Sequence, residues 1–277
     1  MDKTKAFSLK KRLIEITKNN YQFSDSINVN SLADEMKEAL TSTDGDLRDR
    51  LALEVFCNLI YSEKLSDEKC HSLLHELISD KYLLHGLGKE CDDSVFSRSF
   101  STYPISSIVR YNHKIGRRIL TNDEIKNVLN AALKYLREEN DLRDFVDAKG
   151  WANSIGHAAD FLASLAEDSA FGHSELFAML NTIRDKICIN YACYGADIFR
   201  LADAVAAILK RGLISEEAFA NWVASFLEYE KTGNYMNDAR LASNRSEFFW
   251  GLSGRLKKQL PNFHSYAFNA YFKIIES

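Results

Sequence analysis

The sequence predicts an all-α fold, a right-handed α-α superhelix of stacked helix pairs of the HEAT or armadillo kind. Three observations carry that expectation. Only two prolines and 12 glycines interrupt 277 residues. Alternating Val/Ile/Thr runs are nearly absent while Leu, Ala, Lys, Glu and Ser are frequent. Apolar residues recur at helical spacing between short polar breaks. A chain of this length buries roughly three quarters of its unfolded surface, so a core forms without disulfide or metal staples.

The helices follow from their caps. Asn30 or Ser31 opens a helix through Leu40, and Thr43-Asp44 opens the next, through Ile60, with Leu47, Leu51, Val55 and Leu59 on its apolar face. Ser66 caps a helix ending near Ile78. Asp92 or Asp93 caps one carrying Val95, Phe96, Phe100 and Tyr103, which Pro104 kinks or interrupts before Ile105 to Tyr111 continue it. Thr121 and Glu124 form a capping box. Past Gly150, helices are expected from Trp151 to Ala166, Ser174 to Cys188, Asp197 to Arg211, Ser215 to Glu230, Asp238 to Leu260 and Asn262 to Ile275.

Leu65-Ser66-Asp67-Glu68, Leu120-Thr121-Asn122-Asp123-Glu124 and Ile214-Ser215-Glu216-Glu217 each open a helix with an apolar residue, a cap and acids. That recurrence suggests antiparallel pairs repeating roughly every 40 to 55 residues, the rhythm of a diverged helical array; a globular helical bundle is the alternative. No break has the composition of a tether, so one domain is expected over 1–277, with terminal helices over 237–277. There, Phe248, Phe249, Trp250, Phe263, Tyr266, Phe268, Tyr271 and Phe272 crowd two helices and read as core or a lid on it.

Composition excludes several function classes. A net charge of −4 and a pI near 6.0 provide no field for a phosphate backbone, so nucleic acid is not an expected partner. No stretch reaches the ~18 apolar residues of a membrane span, and no apolar run follows the lysine-rich Met1 to Arg12, so no membrane partner is expected. Cys57, Cys70, Cys91, Cys188 and Cys193 are odd in number and lack a C-x-x-C spacing, which reads as reduced thiols in the cytoplasm. Walker A, G-x-S-x-G and strand-linked G-x-G-x-x-G motifs do not occur, and no cofactor is implied.

Three polar stripes are the candidate chemistry. On the helix from Trp151, Asn153, His157, Asp160 and Ser164 line one side at about 100° per residue, with short residues around them, so a neighbouring helix or a small ligand packs closely there. Asp160 at i+3 can orient the His157 imidazole as a general base; as metal ligands the two lack a third. Asp92 and Asp93 begin a helix that carries Arg98 among serines, the acids serving as caps. Arg200 lies between Asp197 and Asp203 at i−3 and i+3, a local ion-pair spacing. His71 and His75 share a helix face, but Ser72 stands where the metalloprotease pattern has Glu, so both read as solvated and no metal site is expected.

From about residue 32 to 226 the chain resembles a bacterial family catalogued as a domain of unknown function, number 2785. The likeness rests on Asp92-Asp93-Ser94-Val95-Phe96 with Arg98, Ser99 and Phe100; on Lys149-Gly150-Trp151-Ala152 leading to His157-Ala158-Ala159-Asp160; and on Arg200-Leu201-Ala202. The resemblance implies an armadillo-type superhelix and no assigned activity. Where similar sequences often have a second histidine after Gly-Trp-Ala, this chain has Asn153, which removes one potential metal ligand.

The resulting expectation is a concave polar groove formed by Asp92, Asp93, Arg98, Trp151, Asn153, His157, Asp160 and Arg200. It would hold a protein, a peptide or a small polar ligand without transforming it. The rivals are a hydrolase-like enzyme with His157 and Asp160 as base pair and Arg98 or Arg200 as anion stabiliser, and a purely structural polar network.

Overall fold

The computed structural model of the chain describes residues 1–114, 119–191, 193, 196–228 and 231–276. Helix caps written into the sequence set many of the boundaries. Asp2 caps α1 (Lys3–Lys18), Asn28 caps α2 (Val29–Ala39), and Ser66 caps α4 (Asp67–Leu77), each side chain accepting from a first-turn backbone N–H. The Thr121–Glu124 box forms as expected: the Thr121 N–H donates to Glu124 and the Glu124 N–H returns to the Thr121 hydroxyl, opening α6 (Asn122–Glu138). Ser215 caps α10 (Glu216–Ala224), shorter than expected; the anticipated end at Glu230 lies outside the described residues.

Between α2 and α3 (Glu54–Tyr61) the chain winds as a π-helix over Asp46–Leu53, where a continuous α-helix was expected. The period of its apolar residues explains this. Leu47, Leu51, Val55 and Leu59 are all buried at a strict spacing of four, wider than the 3.6 of an α-turn, and wider turns keep them on one side.

α5 (Ser94–Lys114) runs uninterrupted through Pro104, so of the expected kink or interruption the interruption does not occur. Proline removes one ladder bond and costs about 3 kcal/mol in a helix interior. Around it the hydroxyls of Ser101, Thr102 and Ser106 donate to the carbonyls of Ser97, Ser99 and Thr102, and Phe100, Ile105 and Ile108 are fully buried. Buried packing on both sides of the proline holds the helix together.

After α6 comes a hairpin of β1 (Phe145–Val146) and β2 (Gly150–Trp151), paired antiparallel with Phe145 opposite Trp151. This corrects the expected start of the next helix at Trp151: α7 covers Ser154–Ala166. Ala148, Gly150 and Asn153 all have positive φ, at 61°, 84° and 47°, so the chain turns here and cannot be helical. Then follow α8 (His173–Ile187), α9 (Ala196–Lys210), α11 (Tyr235–Gln259) and α12 (Pro261–Ile275), each within a few residues of its expected bounds.

The chain divides into two compact units, 1–131 with 138–157 and 132–137 with 158–277. Within the first, α3 and α4 pack on α5, and the π-helix packs on α1, α2, α3 and α5. Within the second, α9 packs on α8 and α11, and α12 packs on α10 and α11. There Phe219, Trp222, Phe226, Phe248 and Phe249 form an aromatic core of stacked and edge-to-face pairs, whereas Trp250, Phe268 and Phe272 face outward. Among the described residues no helix is long and apolar enough to cross a membrane.

The capping box has a pH signature. Burial raises the Glu124 carboxyl, but the Thr121 N–H, the Thr121 hydroxyl and His71 outweigh it and hold the group at about 2 against an ordinary 4.5. A depressed carboxyl contributes stability that is present above its unfolded value and lost as pH falls through its folded value. The difference in unfolding free energy between wild type and Glu124→Gln, followed by urea denaturation, is therefore expected to be full above pH 4.5 and to shrink steadily towards pH 2. A difference independent of pH would show that the carboxylate charge has no part in the cap.

Candidate functional site

The first unit contains three buried polar groups, centred on Arg98, His157 and Arg48, and most of the residues singled out by sequence lie in or beside them. Arg98 on α5 is fully buried and bidentate to Glu139, with Nε and Nη2 donating at 2.6 and 2.8 Å. Its Nη1 donates to the carbonyls of His85 and Gly86 and to the Ser94 hydroxyl. Glu139 also accepts the Asp141 N–H; Asp141 in turn accepts from the Asp92 N–H and from Arg143. An ion pair this deep is costly to break, about 3–5 kcal/mol, because the survivor is left charged and unpaired. Arg98 thus fastens the end of α6 and the loop before α5 to the core.

Asp92 caps α5 through the Ser94 N–H, and the Ser94 hydroxyl and N–H hold its carboxyl below the ordinary range. Asp93 is exposed and pairs with Lys149 at 2.8 Å.

His157, in the first turn of α7, is only 5% exposed. Its Nδ1 lies 2.7 Å from the Ser99 hydroxyl, and its ring is held edge-on by Phe100 and Tyr103 with centroids at 5.1 and 4.7 Å. The Ser99 hydroxyl donates its single proton to the Ala152 carbonyl, so Nδ1 of His157 carries the hydrogen in their contact. Asn153, the residue with positive φ, sits immediately before α7, and its carbonyl accepts the His157 N–H. Its place is a helix start rather than a stripe. α7 is buried nearly all round, at Ile155, Ala158, Ala159, Phe161, Leu162, Ser164 and Leu165. This accounts for the short side chains that the sequence displays there and corrects the reading of the helix as cleanly two-faced.

Asp160 and Arg200 belong to the second unit, where Arg200 Nη1 lies 3.3 Å from Asp160 Oδ2, an ion pair without hydrogen-bond alignment. The expected local pairing of Arg200 with Asp197 and Asp203 is not what forms. Asp203 is instead taken by Arg255 from α11.

Sequence reasoning passed over Arg48, the third buried group. Within D-L-R-D-R it reads as a solvated residue, yet it is fully buried. Its Nη1 donates to the Ser42 carbonyl at 2.7 Å, its Nη2 to the carbonyls of Lys149 and Trp151 at 2.9 and 3.0 Å. Its guanidinium stacks on Phe96 and Phe100, 4.1 and 4.5 Å from the ring centres. Burial lowers its pKa to about 10, against the pull of Asp49, Asp44 and Asp93, so it remains charged at neutral pH. Charge-assisted bonds of about 1.5–3 kcal/mol each, three in number here, are of the size needed to offset a desolvation cost of several kcal/mol.

Arg48 thereby draws the hairpin onto the start of the π-helix, and the two backbones meet at glycine. A Cβ on Gly45 would lie 2.9 Å from the Lys149 carbonyl oxygen, and one on Gly150 3.3 Å from Arg48 Nη2. Above this contact lies an open recess of about 850 Å³, lined by Asp44, Asp46, Asp49, Arg50, Lys149 and Trp151 among others. Trp151 is 45% exposed and stands edge-on to the exposed Phe145 at 5.1 Å. Asp44 and Asp46 are bridged by Lys10, and Asp46 also by Arg50, which with Lys10 holds the Asp46 carboxyl at about 2. Asp49 is half-buried and has no hydrogen-bond donor among the described residues; burial raises its pKa against the pull of Arg48.

A model of the family described as Protein of unknown function (DUF2785) matches residues 83–252. That span starts later and runs further than the motif-based resemblance, and it contains all eight predicted site residues while Arg48 and Asp49 precede it. No curated protein and no solved structure matches the chain.

The burial of His157 generates a prediction. His157→Ala removes a packed ring and leaves the Ser99 and Ala152 pair without its neighbour, so unfolding free energy should fall by about 2–4 kcal/mol. Urea denaturation checks this, and a change within about 1 kcal/mol would show that the imidazole does not hold the fold.

Proposed function

The chain belongs to the DUF2785 family of proteins of unknown function, and from the geometry of its first unit we propose that it is a binding protein whose site is the recess around Trp151. The occupant is a partner peptide presenting a basic side chain. One observation carries the reading: an exposed tryptophan and Asp49, a carboxylate without a hydrogen-bond donor among the described residues, line the same open recess. An indole face attracts a guanidinium or ammonium by about 0.5–2 kcal/mol, and a half-buried carboxylate gains most from a charged donor. π-Turns inside helical segments recur at functional sites, and Asp46–Leu53 provides several of the lining residues.

In this reading, of the residues expected to line a groove, Trp151 contacts the ligand and Asp93 stands beside it through Lys149. Arg98, Asp92, Asn153 and His157 hold the scaffold in the first unit, and Asp160 and Arg200 do so in the second. The internal bonding of Arg98 and His157 supports that division and weighs against His157 as a general base. The helices are taken as stacked pairs of an armadillo-like superhelix, an arrangement that the packing of α8 on α9 and of α11 on α12 supports. A cytoplasmic location is favoured by five cysteines none of which is in a disulfide, with burial pushing Cys57, Cys70 and Cys188 up to about 11 and Cys193 to about 12.

Isothermal titration with a capped tetra-arginine peptide tests the proposal, with capped tetra-glutamate as the control. Binding is expected for the basic peptide alone, weakening with salt and falling about tenfold in Trp151→Ala, with a similar loss in Asp49→Asn. Equal binding of both peptides, or affinity unchanged in Trp151→Ala, would overturn it.

A further inference from the structure

The geometry points to a second site, in the first unit and apart from the Trp151 recess: a divalent transition-metal site of the zinc class formed by His71 and His75 of α4 with Glu124 of α6. His71 and His75 are four residues apart and so share one helix face, the spacing by which two imidazoles of one helix reach a common ion. Sequence alone offered no third ligand, because Glu124 is 53 residues away from His71 and reads as a cap. In the fold it is both. Its Oε2 accepts the Thr121 N–H and hydroxyl at 2.8 Å each, while its Oε1 is aimed at the histidine pair, 2.7 Å from His71 Nδ1 and 3.4 Å from His75 Nε2. The three candidate ligand atoms all lie within 4.8 Å of one another.

These separations lie near those of tetrahedral coordination. Ligand bonds of about 2.0–2.2 Å place neighbouring ligand atoms roughly 3.3–3.5 Å apart. The His75 contact already has that separation, and the His71 contact needs to open by less than about 1 Å. His71 is thus turned towards Glu124 rather than solvated. A hydrogen-bonded pair of His71 and Glu124 would need nothing from His75, whose side chain is 59% exposed, yet its Nε2 lies 3.4 Å from the same oxygen. On binding, the ion replaces the Nδ1 hydrogen of His71, which leaves to solvent from an imidazolium or shifts to Nε2 of the neutral ring.

The donor set identifies the class of ion. Two neutral imidazoles and one carboxylate suit Zn²⁺, Co²⁺, Ni²⁺ or Cu²⁺, whereas Ca²⁺ and Mg²⁺ demand oxygen shells. Thr121 supplies the outer support that fixes a ligating carboxylate, and the exposed side at His75 leaves the fourth position to water or to a donor from outside.

Titration of the untagged, chelator-stripped chain with ZnCl₂ tests this, read by calorimetry and by the thermal midpoint, with CoCl₂ used for its visible spectrum. The expected result is one ion per chain, a midpoint raised by zinc, and a tetrahedral Co²⁺ spectrum without thiolate charge-transfer bands. His75→Gln, at an exposed position, should melt like wild type without metal and bind zinc at least about tenfold more weakly; His71→Gln, which also loses the contact with Glu124, should weaken zinc binding by at least as much. Wild-type zinc affinity in both variants, or no heat and no midpoint shift in the unmodified chain, would overturn the site. Thiolate bands in the Co²⁺ spectrum that vanish in Cys91→Ser would overturn it too, by assigning the ion to that exposed cysteine.

Discussion

The first unit turns on a buried guanidinium. Arg48 reaches from the π-helix to carbonyls on both sides of Gly150, more than 100 residues further along the chain, while its flat face rests on two phenylalanines of α5. A fixed positive charge in the interior forces nearby backbone to present oxygen to it, and among the described residues the oxygens that accept from it are those of Ser42, Lys149 and Trp151. The position of the hairpin, the glycine contact beneath the recess and the outward stance of Trp151 all follow. Ser99 continues the same logic one residue on, holding the Ala152 carbonyl and the His157 ring. Arginine suits this task because it stays ionised even with its pKa lowered to about 10 and donates in several directions from one plane.

How much of this was legible depended on the range of the interaction. Ser66, Thr121 with Glu124, and Ser215 announce helix starts because a cap and its partner lie within four residues, and each acts as its local pattern says. The all-α class follows from the sum of such signals. Arg48, Glu139 and Asp141 were invisible because nothing nearby distinguishes them from surface charge; each has a decisive partner far along the chain, in Lys149, Arg98 and Asp92. The π-helix did leave a trace, in a period of four where an α-helix wants 3.6. His157 was noticed for a sound reason, the exclusion of long side chains around it, but tight burial of α7 produces that exclusion as readily as a ligand does.

Two kinds of polar residue therefore coexist among the short-side-chain segments that carry the family likeness. Those that bond inward, such as Arg98 and His157, set backbone positions to within a hydrogen-bond length. Those left at the rim, such as Trp151 and Asp93, are displayed by that framework. The division is physical: a buried polar atom without its partner costs more than the bond it makes contributes, so the interior members tolerate little change. Rim residues have no such constraint, and a scaffold held this way can vary what it displays without altering its folding.

The distribution of thiols has a practical consequence. With pKa values near 11 or 12, Cys57, Cys70, Cys188 and Cys193 present roughly one thiolate in ten thousand or fewer at neutral pH, and Cys70, Cys188 and Cys193 are also shielded from solvent. Cys91 alone is exposed, on the residue adjoining Asp92 at the loop that Asp141 and Arg143 fasten. A maleimide dye added to the native chain should therefore attach at a single defined spot without any cysteine being engineered away, giving a spectroscopic reporter beside a hydrogen-bonded loop of the first unit.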